Sequence, residues 1–200
     1  MKTLTITSEH VRDGKYTGPD VSDYDGHIEL ESDLGWVRFE GDVCARGQIY
    51  AKAGSGIKAG LGIEAGLGIK AGLGIEAGLG IKAGSGIEAG LGIKAGLGIE
   101  AGSGIEAGEG IEAGSGILCG FGIACAALAV SARIVCGACH WREPEGEESE
   151  IRCTRLVSGT VVLGTLVEVG EPNQPDSEDG ATRINDLERR VSALEKGCDR

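Results

Sequence analysis

Cys136-Gly-Ala-Cys139-His140 brings two thiols and an imidazole together within five residues of this chain. Two thiols separated by two residues and followed by a histidine match the c-type haem attachment pattern, in which the sulfurs bond the vinyl groups and the imidazole is an axial ligand. That attachment belongs outside the cytoplasm. The N-terminal stretch MKTLTITSEHVRDGKY has no apolar run that would serve for export, so the expected compartment is the cytoplasm and haem is not expected. Cys136, Cys139, His140 and Cys153 would also make an acceptable zinc donor set, although no second C-x-x-C is present. The plainer reading, small buried thiols at one end of the fold, is preferred. Seven cysteines, at positions 44, 119, 125, 136, 139, 153 and 198, form no secreted-domain framework and are expected to be mainly reduced thiols. The histidines are His10, His27 and His140. None lies in the regular part of the chain, and no Ser-His-Asp spacing or phosphate-cradling loop accompanies them. No catalytic residue, cofactor or metal is therefore expected, and an enzyme is disfavoured.

The elements that would position any site are dominated by a repeat, Ile-[Lys/Glu]-Ala-Gly-x-Gly, with Ile at 57, 63, 69, 75, 81, 87, 93, 99, 105, 111, 117 and 123. Glycine accounts for 37 of 200 residues and aromatics for only 4%, so a conventional core of large side chains is not available. A period of six over this length points to a β-helix. Two glycines in every six residues would cost an α-helix about 1 kcal/mol each. Collagen needs glycine at every third position. Within a unit, strand alternation sends Ile and Ala to one face and Lys or Glu to the other. The glycines flank a corner, where the expected need is for backbone angles that other residues resist. Residues 113–132 are uncharged for the length of a membrane helix, but Ile117 and Ile123 keep the phase of the repeat, which argues for strands there.

The alternating charge counts the hexads in one coil. Side chains of successive coils stack at roughly 4.8 Å, where opposite charges attract and like charges repel. At a separation of 18, Glu40, Lys58, Glu76, Lys94 and Glu112 alternate without fault, as do Arg46, Glu64, Lys82 and Glu100. Lys52, Lys70, Glu88 and Glu106 do not. At a separation of 12, opposite signs are the exception. Three hexads per coil make a triangular prism, each face a parallel sheet.

This pattern resembles the left-handed β-helix hexapeptide-repeat superfamily. Ile63-Glu64-Ala65-Gly66-Leu67-Gly68 loosely follows that family's order of aliphatic, small or acidic, two free, small and free positions, and Leu67-Gly68-Ile69-Lys70-Ala71-Gly72 follows it in a shifted register. The resemblance covers roughly residues 37–135, and the left hand is what it implies. Many members are acyltransferases with a histidine base between trimer subunits. The hexads from 51 to 117 hold neither a histidine nor a long loop to build such a cleft. Ile is placed inside, because the x position accepts Leu67, Ser85, Glu109 and Phe121, and a dry interior would reject the carboxylate. The x-position leucines then face outward, with Leu61, Leu79 and Leu97 stacked as one apolar edge, an intersubunit seam or partner-binding ridge. In the other register they are core.

The expected organisation is an all-β, three-sided parallel β-helix with three hexads, about 18 residues, per coil and a short C-terminal α-helix. Residues 1–35 form an N-terminal cap. Residues 36–135 form the coil, with Phe39, Ala45 and Ala51 in the Ile position upstream. Downstream, Leu118, Ala124, Val130 and Cys136 take the charged position. Residues 136–170 supply cap strands and the acidic loop EPEGEESE, with 150–170 read as two strands around Ser158-Gly159 that cover the apolar outer face. A linker follows at 171–181. The segment 182–197 carries Ile184, Leu187, Val191 and Leu194 at a and d spacing, with Arg183 and Arg190 placed to meet Glu188 and Glu195 of a parallel partner. It reads either as an amphipathic helix folded onto its own domain or as a coiled coil, for which a parallel trimer is favoured.

The net charge of -12 argues against nucleic-acid and membrane partners. The favoured function is a non-enzymatic structural or protein-interaction rod, oligomeric and presenting edges to protein partners, of a kind that would suit a phage or appendage fibre. An acidic DNA-mimicking inhibitor is the alternative. It would want rows of carboxylates, whereas residues 51–122 carry 5 Lys and 7 Glu.

Overall fold

The fold was obtained as a computed structural model that describes residues 1–139 and 142–170. The linker at 171–181, the segment 182–197 with Ile184, Leu187, Val191 and Leu194, and His140 lie outside the described residues. Met1–Val169 is one compact unit. It is a parallel β-solenoid of about 8 turns.

Every third strand pairs. Ile69–Ala71 lies between Ile49–Ala51 and Ile87–Ala89, Ile75–Ala77 between Ser55–Ala59 and Ile93–Ala95, and Ile81–Ala83 between Ile63–Ala65 and Ile99–Ala101. Ile87 stacks on Ile69 and Ile99 on Ile81, so one circuit of the regular region is 18 residues and has three sides. The repeat isoleucines and alanines are buried throughout, and the residue between them points out. Each side therefore contributes one Ile and one Ala per coil to a single axial core. Burying one such isoleucine is worth roughly 1.5–3 kcal/mol, which offsets about half of the roughly 3–6 kcal/mol of backbone entropy lost in ordering its three-residue strand.

The glycines serve a purpose other than the expected one. None of the repeat glycines has a positive φ. At the position after Ala, a Cβ would instead collide with the coil below: 2.1 Å from the Gly78 carbonyl oxygen at Gly96, and 2.2 Å from that of Gly66 at Gly84. The corner packs backbone on backbone, and no side chain fits between coils. A positive φ is required at Gly54, where φ is 73°.

Gly54 belongs to a two-residue insertion that changes the upstream phase. Ile49 and Ile57 are eight residues apart in sequence, and Val37, Val43 and Ile49 stack on Ile57, Ile63 and Ile69, a step of 20. The inward Ile position upstream is thus Val37, Val43 and Ile49. Phe39, Ala45 and Ala51 occupy the Ala position, and Arg38, Cys44 and Tyr50 take the outward position expected for Glu40, Arg46 and Lys52. Ser55 closes the enlarged corner: its buried hydroxyl accepts from the Leu34 N–H at 3.0 Å and donates to the Glu31 carbonyl. Downstream a residue is missing, because Ile111 stacks on Leu128 and Ile117 on Ile134, a step of 17. Val130 and Cys136 consequently fall in the Ala position and are buried, and the outward residues are Ala129 and Val135.

The parallel ladder also reaches beyond 36–135. Lys2–Ile6 stacks on Gly26–Leu30, and Glu150–Leu163 continues the ladder from Ile123–Cys136 before pairing with Thr165–Glu168. Residues 150–170 are further coils and do not fold across the outer face. The excursion between the last coils contains the short helical turn Gly146–Ser149. Arg142 grips Glu148 there with both terminal guanidinium nitrogens, at 2.5 and 2.6 Å, and its cationic carbon sits 4.6 Å over the Phe121 ring.

Candidate interaction surface

The outward positions form three charge columns. Lys58 pairs with Glu76, Lys70 with Glu88, Lys82 with Glu100 at 3.5 Å, and Lys94 with Glu112 at 2.5 Å. The Glu88 and Glu112 carboxylates hold Lys70 and Lys94 above the usual lysine range. Lys52, displaced from the column by the insertion, reaches Glu29 at 2.6 Å and is raised by it. Glu88 and Glu106 are stacked like charges, a break in the alternation within the regular coils.

Beside each column lies a strip with no side chains, made by the glycines that precede the isoleucines. On the third side, the stack of Ile63–Ala65, Ile81–Ala83 and Ile99–Ala101, Gly62, Gly80, Gly98 and Gly116 floor a groove of about 660 Å³. Its walls are Leu79 on one flank and Glu64, Lys82, Glu100 and Leu118 on the other. Leu61, Leu79 and Leu97 stack directly, the Leu79 N–H donating to the Leu61 carbonyl and the Leu97 N–H to that of Leu79, both at 3.0 Å. They are 43, 44 and 51% exposed, so the x position faces outward. At the C-terminal end of the same side the charge column gives way to Leu118 and Val135, paired in the ladder, with Leu163 next in line and exposed. The leucine edge and this apolar end are continuous with the groove. On another side, Trp36 lies across the equivalent glycines: a Cβ at Gly74 would meet its ring at 2.8 Å and one at Gly56 at 3.1 Å. The chain itself thus shows that an aromatic side chain fits a glycine strip.

The chemistry-bearing residues of the sequence have structural partners. The imidazole of His10 accepts the Thr7 N–H at 3.1 Å through Nδ1, and that of His27 accepts the Gln48 N–H at 3.0 Å. Cys136 is buried in the solenoid core beneath Cys119, and Cys153 is stacked on Cys125 in a different sheet. Burial, with the neighbouring Cys153, pushes the Cys125 thiol up to about 12. Among the described residues, no group of three or more His, Cys, Asp or Glu side chains is arranged to hold a metal ion. Among them, too, no helix is long and apolar enough to cross a membrane. Comparison with protein-family models, with curated proteins and with solved structures finds no match.

Proposed function

We propose that this protein is a non-enzymatic interaction rod that assembles with copies of itself, as a parallel trimer, and binds protein partners along its third side. The observation that supports this reading is the unbroken leucine edge of Leu61, Leu79 and Leu97 beside a glycine-floored groove. Contiguous apolar edges on a soluble surface mark contact sites, and the Trp36 precedent identifies the complementary group as an aromatic or aliphatic side chain. The column beside the groove carries both signs, Glu64, Lys82 and Glu100, and favours a partner surface of mixed charge over a polyanion. DNA mimicry is the weaker reading, because the ladder lysines neutralise the carboxylates they stack on.

The test is sedimentation equilibrium of the full chain against a Leu61→Ser, Leu79→Ser, Leu97→Ser variant, all at exposed positions that leave the core intact. The expected result is a trimeric mass for the parent and a lower mass for the variant with an unchanged circular dichroism spectrum. A monomeric parent, or a variant of unchanged mass, contradicts the proposal.

A further inference from the structure

Four thiols line the solenoid interior at its C-terminal end, each in the position that alanine holds in the regular coils, and they occur as two stacked pairs, Cys119 with Cys136 and Cys125 with Cys153. Cys119 and Cys136 face each other across adjacent coils in direct register. Both thiols converge on one acceptor, the Phe121 carbonyl oxygen, at 2.9 Å from Cys119 and 3.1 Å from Cys136. Paired strands lie roughly 4.8 Å apart, inside the roughly 4.4–6.8 Å that a disulfide spans between Cα atoms. We propose that Cys119 and Cys136 are a disulfide-forming pair that hydrogen peroxide closes, stapling the last regular coil to its successor.

The two thiols are not equivalent. The neighbouring Cys119 sulfur lowers the Cys136 thiol, while the neighbouring Cys136 sulfur and burial raise that of Cys119, so Cys136 gives up its proton the more readily and is the nucleophile. The Cys136 sulfur attacks one peroxide oxygen and the O–O bond breaks. The proton that Cys136 gives up goes to the departing oxygen, which leaves as water, and Cys136 becomes a sulfenic acid. The Cys119 sulfur then attacks the Cys136 sulfur, the S–O bond breaks, and a second water carries off the Cys119 proton. Two thiols have lost two electrons and the peroxide has gained them. Burial raises both Cys125 and Cys153, so their pair holds no comparable nucleophile.

The full chain is treated with hydrogen peroxide under native conditions, remaining thiols are alkylated in denaturant, and unreduced peptides are mapped by mass spectrometry. Ala is the residue of this position in the regular coils, so Cys119→Ala and Cys125→Ala return the sequence to its own repeat and retain the fold. The expected result is a Cys119–Cys136 linked peptide in the parent and in Cys125→Ala, absent from Cys119→Ala and removed by dithiothreitol. Cys119 and Cys136 both still alkylated while the half-buried Cys139 is oxidised, or a linked peptide that persists in Cys119→Ala, would overturn the assignment.

Discussion

Gly96 and Gly98 look alike in the sequence and are not alike in the coil. A Cβ at Gly96 would lie 2.1 Å from the backbone of the preceding coil, whereas one at Gly98 would lie 3.3 Å from the Gly116 carbonyl. Gly96→Ala must push two coils apart and is expected to cost about 1–3 kcal/mol, read as a fall in the urea midpoint. Gly98→Ala should cost clearly less, since a few tenths of an ångström of movement relieves it. Equal costs would contradict the close-packed corner. The sequence displayed the glycines as corners but could not distinguish backbone conformation from lack of space, because both leave the same residue behind. The direction of the x-position leucines was legible, since Glu109 occupies the same position and a dry interior would not hold its carboxylate.

Single coils and their irregular closures were less legible than the repeat they interrupt. The stacking of Lys58 on Glu76 and Lys82 on Glu100 could be read from charge alone, because mispairing by one hexad would put like charges together. The insertion at Lys52-Ala53-Gly54 could not, because Lys52-Ala53-Gly54-Ser55-Gly56 itself follows the repeat, nor could the residue missing before Leu128, where the consensus has decayed, and a phase carried across either assigns the wrong residues inward. The acidic excursion before Glu150 was seen only as a loop, yet it holds the Arg142–Glu148 clamp. Its double hydrogen bond from Arg142, with the Glu145 N–H, lowers the Glu148 carboxyl to about 2. A carboxyl lowered on folding contributes its stabilisation above the ordinary value of 4.5, and that contribution is lost as pH falls towards about 2. Hydrogen exchange of residues 143–149 should therefore be constant from neutral pH down to about 5 and, after correction for the intrinsic rate, accelerate below it. In Glu148→Gln it should be fast throughout, with no step. A step that survives the substitution would assign the titration to another group.

At the scale of the molecule, a solenoid adds coils without adding a new kind of contact, so its stability and length grow together and its sides repeat whatever the outward positions carry. The leucine edge, the glycine groove and the charge columns all follow from that regularity. The proposed binding face rests on the coil having three sides and a circuit of three hexads. Cysteine pairs at outward positions measure this directly. Glu64→Cys with Lys82→Cys places two exposed thiols one circuit apart on adjacent strands, within the span of a disulfide, while Lys70→Cys with Lys82→Cys places them two hexads apart on different sides. Under mild oxidation, mapped by peptide mass, a circuit of three hexads gives a linked peptide for the first pair and none for the second. A link between residues 70 and 82 with none between 64 and 82 would contradict it.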